Sequence, residues 1–144
     1  MEPLTTAAIA IGSVVATKAL EKTGEKVGET LWQQTGNFLN SLRNESPDTV
    51  TAIEKTPEQP LDYGKAVLET EAAAKANPEV AQRMQELVAT TETEPLPNLE
   101  AILNQIANAL KSQPSEQKIY IKTIEKLVNF ANRDIHIEQQ YITI

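Results

Sequence analysis

Residues 3–17, PLTTAAIAIGSVVAT, form an uncharged run between Glu2 and Lys18. Apolar and small residues fall on every face of a helix drawn through this run, so it has no amphipathic stripe. A helix of that kind is either buried at the centre of a bundle or held ready for lipid. In the first reading Leu4, Ile9, Ile11, Val14 and Val15 are core; in the second they are the inserting side chains. A secretory leader needs a basic residue ahead of its apolar stretch, and Glu2 has the opposite sign. A constitutive span needs about 20 apolar residues, and this run has 15 residues, several of them Thr or Ser.

Helical spacing continues past the run through Leu20, Val27, Leu31, Phe38 and Leu42, which predicts a helix over 4–20 continuing to about residue 42. A second row recurs every four residues: Ala8, Gly12, Ala16, Leu20, Gly24, Gly28, Trp32 and Gly36. Its small members Ala8, Gly12, Ala16, Gly24 and Gly28 let a second helix approach closely. Read otherwise, each glycine weakens its helix by about 1 kcal/mol relative to alanine. An unbroken helix over residues 4–42 would be about 58 Å long, against a radius of gyration of about 15 Å for a compact chain of this size. Breaks are therefore expected at Gly24, Gly28 and Gly36. Lys18, Lys22 and Lys26 make one stripe and Glu21, Glu25 and Glu29 the next. This is a solvated face, or the lysines meet anionic lipid head groups.

Downstream, prolines divide the pattern. Ser46-Pro47 predicts a short helix capped by Ser46, and Pro57 and Pro60 mark a linker. Leu61 to Ala76 reads as a helix with Tyr63, Val67 and Leu68 on one side. Asn77-Pro78 closes it and opens the next, whose stripe is Val80, Met84, Leu87 and Val88. Residues 91–98 form a second linker. Asn98 is then the expected cap of a helix with Leu99, Ile102, Leu103, Ile106 and Leu110 inward. After a break at residues 112–114, Ile119, Ile121, Ile124, Leu127, Val128 and Phe130 suggest a last helix, with Ile119-Tyr120-Ile121 also compatible with a strand. From residue 134 the period changes to two. Ile135, Ile137, Tyr141, Ile142 and Ile144 alternate with polar residues, which predicts a strand or small hairpin over 134–144. Such a tail docks on the bundle, stays unstructured, or templates another chain through its open edge.

Together these readings predict an all-α bundle of about four or five helices over residues 1–133, followed by the β-prone tail. Composition narrows the chemistry. Hydrophobic residues are 40% and aromatic residues only 4%, so Ala, Leu, Ile and Val build the core. There is no cysteine and one histidine, His136, which excludes thiolate chemistry and histidine-rich zinc sites. No phosphate-binding loop, HExxH or GxSxG motif occurs, and no spacing gathers carboxylates into a cleft. The sequence therefore predicts no enzyme, no metal site and no cofactor. The net charge is −7, with −3 over residues 1–60, −5 over 61–100 and +1 over 101–144. An acidic chain is a poor partner for nucleic acid.

The opening MEPLTTAAIAIGSVVATKALEKTGEK resembles the N-termini of HeLo-like and Bell-type domains. These are helical cell-death effector domains of fungi and multicellular bacteria. The resemblance is carried by Met1-Glu2-Pro3-Leu4, the small apolar run Ala7 to Ala16 and the charged continuation from Lys18. The segment Asp62-Tyr63-Gly64-Lys65-Ala66-Val67-Leu68-Glu69 and the run Ala72 to Val80 are similar to a cyanobacterial type. The resemblance implies a cytoplasmic defence effector that moves to the inner face of a membrane. It also implies a C-terminal amyloid signalling motif, placed here at residues 135–144, which a nucleotide-binding receptor templates to assemble a homo-oligomer. Residues 4–17 would then insert, with Lys18, Lys22 and Lys26 at the head groups. On that view a charge at Ile11 or Val14 should abolish lysis and leave the helical circular dichroism intact. The competing expectations are a non-lytic helical adaptor with its first helix permanently buried, or a subunit whose tail completes another protein's sheet.

Overall fold

The computed structural model describes residues 3–56, 59–94, 96–111, 123 and 125–130, and these are all-α. Six helices follow in order: α1 Pro3–Lys22, α2 Glu29–Glu45, α3 Pro47–Glu54, α4 Tyr63–Ala76, α5 Pro78–Thr93 and α6 Leu99–Lys111. Thr123 and residues 125–130 are also helical. The described residues thus hold more helices than the four or five expected; the separate helix at Pro47 and the break near Gly24 are both ones the sequence predicts. The expected strand over 134–144, with Ile135, Ile137, Tyr141, Ile142 and Ile144, lies outside the described residues, as does His136.

α1 runs through the middle. It packs against α4, α5 and α6, and less closely against α2. α2 lies mainly on α5, and α3 folds back on α2. The periodic stripes explain these contacts. In α6, Leu99, Ile102, Leu103, Ile106, Ala107 and Leu110 are buried, a spacing of three and four that gives one continuous apolar face. Val80, Met84, Leu87 and Val88 do the same for α5. The buried face of α4 is made of Gly64, Ala66, Val67, Thr70 and Ala73, small residues that let its backbone come close to α1.

Helix ends follow local chemistry, with two corrections. Asn77 accepts a hydrogen bond from the Glu79 backbone N–H at 3.0 Å and Pro78 occupies the first turn of α5, as the sequence predicts. Asp62 accepts from the Lys65 N–H at 3.2 Å and so opens α4. Ser46 stands at the N-cap of α3, but its hydroxyl hydrogen-bonds Thr49 Oγ1 at 2.6 Å and leaves the backbone uncapped. Asn98 does not cap α6 with its side-chain oxygen, which has no partner. Its amide instead donates across the core to the Ala16 carbonyl at 3.3 Å. A tertiary partner has displaced the local one.

α1 ends at Gly24, where φ is +81°. The Gly24 N–H donates to the Glu21 carbonyl at 3.1 Å and the Glu25 N–H to the Leu20 carbonyl at 3.0 Å, the paired bonds of a Schellman closure. A Cβ at Gly24 would meet nothing within 4 Å, so the demand for glycine is purely one of backbone conformation. Gly24→Ala should therefore lower stability by about 1 kcal/mol, and Gly24→Asn by less, since asparagine tolerates the left-handed region. Urea unfolding followed by circular dichroism reads both. Gly36, also expected as a break, lies inside α2, and the helix passes through it unbroken.

Candidate membrane-insertion helix

Every residue of α1 from Leu4 to Thr17 is buried. Ile9, Ile11 and Val14 have no exposed surface, and Leu4 and Val15 retain only a few per cent. The five side chains expected to insert are thus brought together on one helix, Leu4, Ile11, Val14 and Val15 toward one side and Ile9 toward the other, and each is buried. By length and composition α1 matches a bilayer crossing. Its 20 residues extend about 30 Å, close to the thickness of a hydrocarbon core. The observed helix is longer than the uncharged run, because it takes in Lys18, Glu21 and Lys22 at its end.

The small row behaves in two ways. Gly12 lies against α6: a Cβ there would come within 2.8 Å of Leu103 Cδ2 and 3.4 Å of Ile106 Cδ1. Ala8 and Ala16 are completely buried on the same helix. Gly24 and Gly28, joined to that row by spacing, stand outside both helices in the α1–α2 connection, so they form no helix-packing face. A Cβ on Gly28 would instead approach Glu94 Oε1 to 2.9 Å.

Two hydroxyls of α1 are satisfied within the helix itself. Ser13 Oγ donates to the Ile9 carbonyl and Thr17 Oγ1 to the Ser13 carbonyl, each at 2.8 Å. Thr5 Oγ1 donates to Thr123 Oγ1 at 3.4 Å, and Thr6 is also partnered. Bonds of Ser or Thr to the carbonyl four residues back travel with the helix, so they would survive transfer into lipid.

The lysine stripe is broken. Lys18 is half-buried and Lys22 exposed in the last turns of α1, where cations suit the carbonyl end of the helix dipole. Lys26 is exposed beyond Gly24, in the connection, so it does not extend the row. Trp32 was grouped with the small row by spacing. It is instead 58% exposed, the only large hydrophobic side chain so placed among the described residues. The buried set of α2 includes Leu31, Thr35, Phe38, Leu39 and Leu42; Leu31, Phe38 and Leu42 are those the sequence spacing predicts, and residue 32 stands on the flank of that set. Among the described residues no cluster of three or more His, Asp or Glu side chains stands ready to hold a metal. No protein-family model, curated protein sequence or solved structure matches this chain.

Proposed function

We propose that the chain is a membrane-targeting effector domain, in line with its resemblance to HeLo-like and Bell-type domains, and that α1 is its inserting element. The observation that carries this reading is a helix of bilayer length, apolar on all faces, whose hydroxyls Ser13 and Thr17 are satisfied by its own backbone. At rest the neighbouring helices shield it. On activation the tail over 134–144 assembles copies into a β-fold, templated by a nucleotide-binding receptor. The homo-oligomer then presents several α1 helices to the inner face of the membrane, and Lys18 and Lys22 reach the head groups. Multivalency supplies the affinity that one short helix lacks. The cost of release is the loss of the α1 contacts with α4, α5 and α6, so assembly has to drive it.

Complete burial equally suits the second reading, an adaptor whose central helix never leaves. Removing residues 1–17 would take out the middle of the core, so a lock is the better test. Thr5 and Thr123 Oγ1 lie 3.4 Å apart, so a cysteine pair at these positions is the candidate cross-link, its closure to be checked by thiol titration. The chain has no cysteine to compete. The double variant Thr5→Cys/Thr123→Cys is added to dye-loaded vesicles of mixed zwitterionic and anionic lipid, with fibres of a 134–144 peptide as seed. The oxidised protein is expected to be silent and the reduced protein to release dye. Equal release in both states counts against insertion of α1. Silence in both, with amide exchange over residues 4–17 slow and unchanged by lipid, selects the adaptor.

A further inference from the structure

A groove of about 580 Å³ runs between the last turns of α1 and the exposed flank of α2. We infer that it is a docking site for a zwitterionic phospholipid head group at a membrane surface, with Trp32 as the anchor. The inference rests on the reading of α1 as an inserting helix and adds the surface that meets lipid first. Lys18 and Glu21 both line the groove, and neither takes part in an ion pair among the described residues. A cation and an anion one turn apart match the phosphate and ammonium of one head group. The Trp32 ring beside them offers a face for a quaternary ammonium, and indole side chains favour the level of lipid head groups. Thr35 lines the floor of the same groove; its Oγ1 is itself covered and is no part of the head-group contact.

Charge and position favour this occupant. The chain carries −7 overall, and an acidic protein is repelled by an anionic surface and tolerated by a zwitterionic one. The groove also sits at the charged end of α1, where the head groups would lie if α1 crossed the bilayer. The space suits a head group, since small-ligand sites occupy about 300–1,000 Å³.

Trp32 is the chain's single tryptophan, so its fluorescence reports this groove alone. The oxidised Thr5→Cys/Thr123→Cys protein, with α1 locked, is titrated with phosphatidylcholine vesicles. Its emission is expected to shift to shorter wavelength and to be quenched by brominated acyl chains. Phosphatidylglycerol vesicles should do less. Trp32→Ala, Lys18→Gln and Glu21→Gln alter exposed or half-buried positions and should keep the helical circular dichroism. Trp32→Ala should weaken co-sedimentation with phosphatidylcholine by about tenfold, the scale of one aromatic anchor, and each charge variant should weaken it less. An unmoved emission band overturns the inference. So does stronger binding to phosphatidylglycerol, a shift caused by dissolved phosphocholine and not by vesicles, or a Trp32→Ala effect on oligomeric state without one on vesicles. Binding by the locked protein without dye release on reduction would retain the groove and remove the proposed function. Release with an unmoved Trp32 band would do the reverse.

Discussion

Replacing Ile11 by lysine is expected to abolish the cooperative thermal transition of the domain. Ile11 has no exposed surface and sits mid-way along the helix that α4, α5 and α6 enclose. The substitution removes a buried isoleucine, a loss of about 2–5 kcal/mol for truncation of such a side chain. It also leaves an ammonium with no partner, and the effective penalty of an unpaired buried charge is several kcal/mol more. A domain of this size is stable by only about 5–15 kcal/mol, so the two losses consume most or all of it. Differential scanning calorimetry would show the transition broadened or gone. A native-like transition would mean that α1 is not enclosed as described. The same reasoning covers Val14, also without exposed surface. A charge at either position would therefore unfold the bundle, so the loss of any membrane activity in such a variant would not by itself report on insertion of α1. The expectation that such variants keep their helical signal does not suit a helix covered on every side.

Phe38→Ala should lower stability by about 3–5 kcal/mol, the range for removing a fully buried aromatic ring. Phe38 is completely buried in α2. The urea midpoint should fall by about 2 M with an unchanged slope, taking about 2 kcal/mol per molar for the slope. A drop of less than about 1 M would show that α2 closes onto α5 and fills the gap. A changed slope would point to altered compactness rather than a cavity.

The helical stripes were legible because α5 and α6 each pack one face, and a one-sided helix writes its burial into a spacing of three and four. The caps at Asp62 and Asn77 were fixed within a few residues, and the second of them was predicted. Ser46 and Asn98 were less legible, because each side chain has an alternative partner: Thr49 in the first case, the Ala16 carbonyl in the second. Local propensity cannot see a carbonyl brought in from a helix far away in the chain. Gly24 and Gly36 show the same limit. Both were candidate breaks, and only Gly24 adopts a positive φ, because the run from Leu31 to Leu42 buries enough apolar surface to carry α2 across Gly36. For the candidate site, the sequence singled out Leu4, Ile9, Ile11, Val14 and Val15 of α1, and the structure buries all five. The sequence left their destination open, since the centre of a bundle and the centre of a bilayer select the same residues. Trp32 falls in the every-fourth row of small residues, and a row counted straight through the break at Gly24 does not show that α2 leaves this ring exposed.

The central position of α1 has a consequence for how the chain is made. α1 precedes in sequence the helices that enclose it. Translation at about 5–20 residues per second places roughly 5–15 s between the emergence of Lys22 and that of α6. Throughout that interval a helix of bilayer length stands without its cover. The nascent chain therefore passes through the very exposure that the finished bundle prevents.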